Sequence, residues 1–225
     1  GKLIMICALM MGRVGSRGFK NKNLIKIDGK SLCEYPLNAA KRSKYIKNIY
    51  VTTDCPKIKK ISKKYKAIII NRPKKLCHSK ALGENVYEHG YFQIKKDLEK
   101  KSKKIELIVL LMANSATVTA NMINKGINFL RKNKSFDSAV STSIYNMWSP
   151  LRARRLDKKG SLKPFVPFQV FGNPKTLNCD RDSQGDVYYA DMSVSIVRPK
   201  CLENLKYGLL PQKWMGKKIA PIKSD

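Results

Sequence analysis

Acidic residues, histidines and paired cysteines are all scarce in this chain, and each shortage narrows the functions open to it. Asp and Glu number 16 against 46 Lys and Arg, a formal net charge of +30. Only two histidines occur, His78 and His89, too few for a histidine-built metal centre. The six cysteines (Cys7, Cys33, Cys55, Cys77, Cys179, Cys201) include no C-x-x-C pair, and only Cys77 has a histidine beside it. That spacing argues against zinc and for reduced, mostly buried thiols in a reducing compartment. No apolar run approaches the roughly 20 residues needed to span a bilayer, and the first apolar run lacks the small-residue cleavage pattern of a secretory leader. The expectation is a soluble, cytoplasmic protein without membrane insertion. Internal repeats and long low-complexity segments are also missing.

The positive charge would by itself suit nucleic acid or another polyanion. Its distribution does not select one. Lysines recur everywhere, including Lys57, Lys59, Lys60, Lys63, Lys64 and Lys66 on one expected helix and the run from Lys95 to Lys104. A uniform lysine excess reads as solvated helix faces, so nucleic acid is not the expected partner.

What is present is a globular composition, 43% hydrophobic over 225 residues. This is enough for one large α/β domain or a core with an insertion. Leu3 to Met11 is a continuous apolar run, as in a central parallel strand covered on both faces. Behind it lies Gly12-Arg-Val-Gly-Ser-Arg-Gly-Phe-Lys-Asn-Lys-Asn23, with three glycines, a hydroxyl, four cations and two amides. Glycines let backbone N–H groups approach an anion and the cations supply charge, so the physical reading is a polyphosphate cradle. It is not the P-loop, because no Gly-Lys-Ser/Thr closes it, and the dinucleotide glycine spacing is absent.

Strand and helix signals then alternate. Strands are expected at 48–53, 67–70, 107–112 and 138–143. Helical spacing occurs around 32–40, 56–65, 83–98 and 122–130, with Lys100 to Lys104 as a solvated link. The fold class is therefore α/β, with a doubly wound, mostly parallel, Rossmann-like sheet that binds ligands outside the C-terminal strand ends. After Ser143 the pattern changes to Pro150, Arg152-Ala-Arg-Arg155, a turn at Asp157-Lys-Lys-Gly160, and apolar Phe165, Phe168, Val170 and Phe171 that call for burial. The expected organisation is a nucleotide-binding core at 1–143, an inserted β-rich arm for substrate binding and dimerisation at 144–190, and a return to the core at 191–225. Part of the arm's burial is expected across a homodimer interface. Trp148 and Trp214 are expected to pack, and His78 reads as an ordinary loop histidine.

The series Gly12-Arg13-x-Gly15-Ser16-Arg17-Gly18, Lys22-Asn23, Val51-Thr-Thr-Asp54, Arg72-Pro73-x-x-Leu76, Leu110-Leu111-x-x-x-Ser115 and Val140-Ser141 resembles the acylneuraminate cytidylyltransferases, the CMP-sialic acid synthetases and their relatives. The resemblance covers residues 3 to 143, and 191 to 202 more weakly. It implies transfer of CMP from CTP to an acidic sugar, for surface glycan synthesis, with release of pyrophosphate. It also implies that Gly12, Arg13, Ser16, Arg17, Lys22, Asn23 and Ser115 hold the nucleotide, with Arg13 and Lys22 as the catalytic cations. Arg152, in Pro150-Leu-Arg152, matches a family cation that meets the sugar carboxylate, and Asp191 aligns with a substrate-side position.

The chain departs from that pattern in places. Where the family reads Leu-Leu-Gln-Pro-Thr-Ser-Pro-Leu-Arg, this chain has Leu110-Leu-Met-Ala-Asn-Ser-Ala-Thr-Val118. The family's Mg²⁺ is implied, but the D-x-D that often holds it near the end of the core is missing there, leaving Asp54 and Asp191 as strand-end carboxylates and the metal ligands unidentified. A catalytically silent member that binds nucleotide or a polyanion is the alternative to turnover.

Overall fold

A computed structural model describes residues 1–12, 21–78 and 80–224. In chain order the elements are strands β1 (Leu3–Met11), β2 (Lys26–Ile27) and β3 (Lys30–Ser31), helix α1 (Glu34–Arg42), β4 (Ile46–Thr52), α2 (Pro56–Lys64), β5 (Ile68–Ile70), α3 (Gly83–Glu99), β6 (Lys103–Met112), α4 (Ala120–Lys132), β7 (Ser138–Ile144), β8 (Arg154–Leu156), β9 (Leu162–Pro164), α5 (Arg181–Gln184), β10 (Tyr188–Val197), α6 (Pro199–Glu203) and β11 (Ile219–Lys223). They fall into two compact units, Gly1–Ser141 with Met192–Asp225, and Thr142–Asp191. No helix among the described residues is long and apolar enough to cross a membrane.

The first unit is built on a seven-stranded sheet in the order β11-β7-β10-β6-β1-β4-β5. Its β6, β1, β4 and β5 are parallel neighbours, and β10 runs antiparallel to β6. The central strands are apolar on both faces because helices cover both: Ile6, Cys7, Ala8, Leu9 and Met10 of β1 and Leu107 to Leu111 of β6 are all buried. Each fully buried aliphatic side chain contributes about 1.5–3 kcal/mol of transfer free energy. The helices pack through the stripes their spacing requires, as in α4, where Met122, Ile123, Ile127 and Leu130 face inward. Its N-terminus is fixed by Thr119, whose hydroxyl oxygen accepts from Met122 N at 3.1 Å. Pro56 opens α2, in the first turn, where no N–H is needed.

β6 begins earlier than its apolar run. Lys103 and Lys104, read from sequence as a solvated link, pair with Leu3 and Ile4 of β1. Ladder bonding needs main-chain groups, not apolar side chains.

The C-terminal segment is fastened to this unit through Asp137, whose side chain is 2% exposed. Its carboxylate accepts from Lys200 Nζ at 2.7 Å, Lys217 N at 2.8 Å, Lys218 N at 3.0 Å and Tyr207 Oη at 3.0 Å. Burial alone would raise its pKa. The Lys200 ammonium, the Lys218 and Lys217 amides and the Tyr207 hydroxyl outweigh that and bring it from 3.8 to about 2. Gly216, at φ +75°, lies against this carboxylate, and a Cβ there would fall 2.6 Å from Asp137 Cβ.

The second unit contains the antiparallel hairpin β8–β9, with Leu156 opposite Leu162. Asp157 Oδ1 closes its turn by accepting from Lys159 N at 2.9 Å and Ser161 N at 2.8 Å. Burial of the arm's apolar residues, expected from sequence, is not achieved within the chain: Phe165 is 52%, Val170 69% and Trp148 61% exposed. Trp148 instead meets Tyr145 and Tyr189 edge to face, with centroids 4.7 and 5.1 Å apart. Trp214, in the first unit, is buried against Tyr87 as expected.

Candidate functional site

At the C-terminal ends of β1 and β6 the first unit opens into a cleft of about 240 Å³, the place where parallel α/β sheets present their ligands. Three segments line it: Met11 and Gly12 with Asn21, Lys22 and Asn23; Arg72, Leu76, His78, Ala81 and Gly83; and Met112, Ala113 and Asn114. Gly12, Lys22 and Asn23 thus stand together as the sequence placed them. Arg13, Ser16 and Arg17 lie outside the described residues.

Gly12 is held on every side. Its N–H donates to Thr52 O at 3.2 Å, its carbonyl accepts from Arg72 Nη2 at 2.9 Å, and Ala113 N donates to the preceding Met11 carbonyl at 2.8 Å. A Cβ on Gly12 would meet Ala113 Cβ at 2.9 Å and Ile58 Cδ1 at 3.2 Å. The requirement here is space, because the backbone of β1 passes directly against that of the β6 loop. On the far side of the loop, Asn21 takes a left-handed conformation at φ 57°, its carbonyl accepts from Leu24 N at 2.9 Å, and Asn23 O accepts from Cys33 N at 3.0 Å. Asn tolerates this conformation better than most residues. Among the described residues Lys22 makes no side-chain hydrogen bond or ion pair, so its ammonium is available to a ligand.

Arg72 was not among the site residues expected from sequence, although its Arg-Pro motif was recognised. It sits two residues beyond β5, and Nη2 also donates to Thr52 O at 2.8 Å while Nε faces Thr52 Oγ1 at 3.4 Å. His78, read as an ordinary loop residue, lines the cleft with Nδ1 accepting from Lys80 N at 3.1 Å. Further along α3, His89 has a buried Nδ1 without a partner among the described residues. Burial, then the charges of Arg72 and Lys75, hold its pKa below the usual imidazole value.

Ser115 is buried beside the cleft, and its Oγ donates to Met192 O at 3.3 Å. Met112, Ala113 and Asn114, and not Ser115, line the cleft on this side.

The two substrate-side candidates lie in the other unit. Arg152 is exposed, with its backbone N–H on Ser149 O at 2.9 Å and no side-chain partner among the described residues. Its neighbours are engaged: Arg154 donates to Leu151 O at 2.8 Å and lies over Phe168, while Arg155 donates to Phe165 O at 2.7 Å and lies over that ring. Asp191 Oδ2 accepts from Ser143 Oγ at 3.0 Å.

Among the described residues no three His, Cys, Asp or Glu side chains come together as a metal-holding group, so these residues do not form a cage for Mg²⁺. The D-x-D spacing sought at the end of the core occurs instead at Asp180-Arg181-Asp182, at the start of α5 in the arm.

The sequence profile of the Cytidylyltransferase family matches residues 7–159, more than half of the chain. A Helicobacter pylori protein described as a pseudaminic acid cytidylyltransferase and UDP-2,4-diacetamido-2,4,6-trideoxy-beta-L-altropyranose hydrolase is 26% identical over 151 residues, 67% of this chain and 28% of that protein. An Escherichia coli N-acylneuraminate cytidylyltransferase is 33% identical over 85 residues, 38% of this chain and 20% of that enzyme. The chain therefore spans under a third of the length of these two curated relatives. Among solved structures, a CMP:2-keto-3-deoxy-manno-octonic acid synthetase complexed with CTP superposes with a TM-score of 0.62 at 11% identity, covering 98% of this chain and 90% of that one. At that identity the likeness establishes the fold.

Proposed function

We propose that this chain, which belongs to the cytidylyltransferase family, transfers CMP from CTP to a hydroxyl of an acidic, nonulosonic-type sugar and releases pyrophosphate, as a step in surface glycan synthesis. The observation that carries this reading is the cleft at the ends of β1 and β6, where Gly12, Lys22, Asn23 and Arg72 converge. In the reaction the sugar oxygen attacks the α-phosphorus, and the bond from that phosphorus to the oxygen bridging to the β-phosphate breaks. The electron pair leaves with pyrophosphate, and the hydroxyl proton passes to solvent. Negative charge gathers on the departing group, and cations fixed in advance stabilise it without reorganising. Arg13 and Lys22 take that role in this reading, with Gly12, Ser16, Arg17 and Asn23 holding the triphosphate. Ser115 Oγ, while donating to Met192 O, keeps lone pairs that can accept from a ligand hydroxyl.

The unengaged guanidinium of Arg152 supports its assignment to the acceptor carboxylate, which an Arg fork grips in two places. Asp191 is assigned to the acceptor side as well. Mg²⁺ accompanies the triphosphate, with no residue of this chain assigned to it. The arm's exposed apolar side chains, Leu156 at 69% and Leu162 at 66% among them, support a homodimer formed through 144–190.

The test is pyrophosphate release from each nucleoside triphosphate with Mg²⁺ and a panel of sugar acids. The expected result is release from CTP with one acceptor class, and a rise of about ten-fold or more in the acceptor KM for Arg152→Ala, the loss of one charge-assisted hydrogen-bonded contact. CTP binding without release for any acceptor would identify a silent nucleotide-binding member instead. The departures at Met112 to Val118 favour that second reading.

A further inference from the structure

We propose that a second ligand site lies at the opposite end of the sheet from the cleft, and that it takes a small phosphate monoester, held by its two negative charges and by the apolar face of its body. A cavity of about 260 Å³ opens there in the first unit, between the last turns of α3, the start of β6 and the short helix α6. Lys103, at this cavity, and Met112, at the cleft, are the two ends of β6. At about 3.3 Å per residue the two sites stand about 30 Å apart. The second therefore does not depend on the cytidylyl reading of the first.

Helical spacing brings Tyr91, Lys95, Leu98 and Glu99 to one face of α3. Tyr91, Leu98 and Ile105 are buried beneath the cavity and Pro199 is half-buried at its edge, so the floor is apolar, and lysine stems extend it. The Tyr91 hydroxyl donates to Glu203 Oε1, and Lys95 Nζ stands 3.2 Å from the same oxygen. The Tyr91 bond first, then Lys95 and the charge of Lys104, hold the Glu203 carboxylate below its ordinary range, so it is ionised and already matched. Three further ammoniums, on Lys2, Lys103 and Lys104, line the cavity and make no side-chain hydrogen bond or ion pair among the described residues. Against them stands one more carboxylate, Glu99, which leaves a surplus of two positive charges. The run from Lys95 to Lys104, a solvated face by composition alone, is folded by the α3–β6 turn so that its two ends meet across one floor. No arginine is among the described residues lining it. Without a planar fork a carboxylate finds no two-point grip, whereas point charges on flexible stems can close round a tetrahedral dianion. The volume falls just below that of pockets for drug-sized ligands, which suits a single small ring and not a polymer.

The experiment separates charge from floor. Binding of inorganic phosphate, phenyl phosphate and phenyl sulfate to the full chain is measured by calorimetry at about 0.15 M salt, where diffuse surface charge is screened, and at about pH 7.5, where the phosphates are dianions and the sulfate a monoanion. Phenyl phosphate is expected to bind at least about ten-fold more tightly than phenyl sulfate and about five-fold more tightly than inorganic phosphate. Lys103→Gln with Lys104→Gln should weaken phenyl phosphate by about ten-fold or more and leave CTP within about two-fold. Lys60→Gln with Lys64→Gln, an equal loss of charge on the exposed face of α2, should change neither beyond about two-fold. Inorganic phosphate bound as tightly as phenyl phosphate, or equal losses in the two double variants, would reduce the site to the diffuse charge of a lysine-rich surface and overturn the proposal. Phenyl phosphate bound unchanged by the Lys103, Lys104 double variant would place the binding elsewhere and overturn it equally, as would an unsubstituted chain that binds no phenyl phosphate at millimolar concentration. If that double variant unfolds, Lys2→Gln, which lies outside the strands, should weaken phenyl phosphate about three-fold, and no change would refute the site.

Discussion

Adding one methyl group at Gly12 should damage the cleft, and removing one across from it should repair part of the damage. The Cβ of Gly12→Ala would stand 2.9 Å from Ala113 Cβ and 3.2 Å from Ile58 Cδ1. Ile58 can swing its terminal methyl aside, but Ala113 Cβ is attached to a backbone whose N–H is bonded to Met11 O at 2.8 Å. Overpacking a closed contact costs about 1–3 kcal/mol, a factor of about 5 to 150 in an equilibrium constant. The strain cannot stay local, because both the N–H and the carbonyl of Gly12 are committed, to Thr52 and to Arg72. Urea unfolding at neutral pH measures the stability part, and titration with CTP measures the part borne by the cleft. Ala113→Gly removes the opposing methyl. Its own cost should be about 1 kcal/mol of burial and backbone entropy. The double variant should then be more stable and bind CTP more tightly than the two single losses added together, by about 1–2 kcal/mol of coupling. Strict additivity, or a Gly12→Ala protein that binds CTP unchanged, would show that the close approach of β1 and the β6 loop is not what requires glycine here.

Two further outcomes follow from the geometry. Asp137, with its pKa lowered from 3.8 to about 2, should contribute about 2.5 kcal/mol at about 1.36 kcal/mol per pH unit, fully present above pH 4 and lost as pH falls through 2; Asp137→Asn should remove this acid dependence and lower stability at pH 7, and an unchanged acid unfolding curve would refute the assignment. The arm should dimerise through its exposed face, so that Leu162→Asp, opposite Leu156 in the hairpin, converts a dimer to monomer in sedimentation velocity, a result excluded if the unsubstituted chain already sediments as a monomer at micromolar concentration.

The core of the fold was legible because burial on both faces leaves a mark on side chains. Leu3 to Met11 can be read as a central strand from its apolar run alone, and the structure gives β1 the same bounds. Helices of mixed polarity reveal themselves through spacing, as Ile58 and Ile61 do in α2. Lys103 and Lys104 were misread because their contribution to β6 is made by the main chain, which has no signature in residue type. The same limit hides Arg72. Its partners are the carbonyls of Gly12 and Thr52, 60 and 20 residues away, and any residue supplies a carbonyl. The arm was legible only in part for a different reason: an apolar side chain announces that it will be covered, but not by which chain.

The proposed nucleotide and acceptor contacts consequently depend on different kinds of interaction. On the nucleotide side, the root of the loop is made by close backbone approach, framework carbonyls and one guanidinium, inside a unit whose core is buried on both sheet faces. A substitution there disturbs packing and binding together, as the Gly12–Ala113 contact requires. On the acceptor side, Arg152 stands in a turn held by Ser149 O, just before two arginines engaged with backbone oxygens and aromatic rings. No buried core depends on its side chain. Exchanging Arg152 should therefore cost little stability, so that, on the proposed reading, the acceptor contact can change without disturbing the packing around Gly12. Lysine excess plays no part in that division: a solvated ammonium adds to the charge of +30 without adding geometry, whereas the guanidinium of Arg72 is held in place before a ligand arrives.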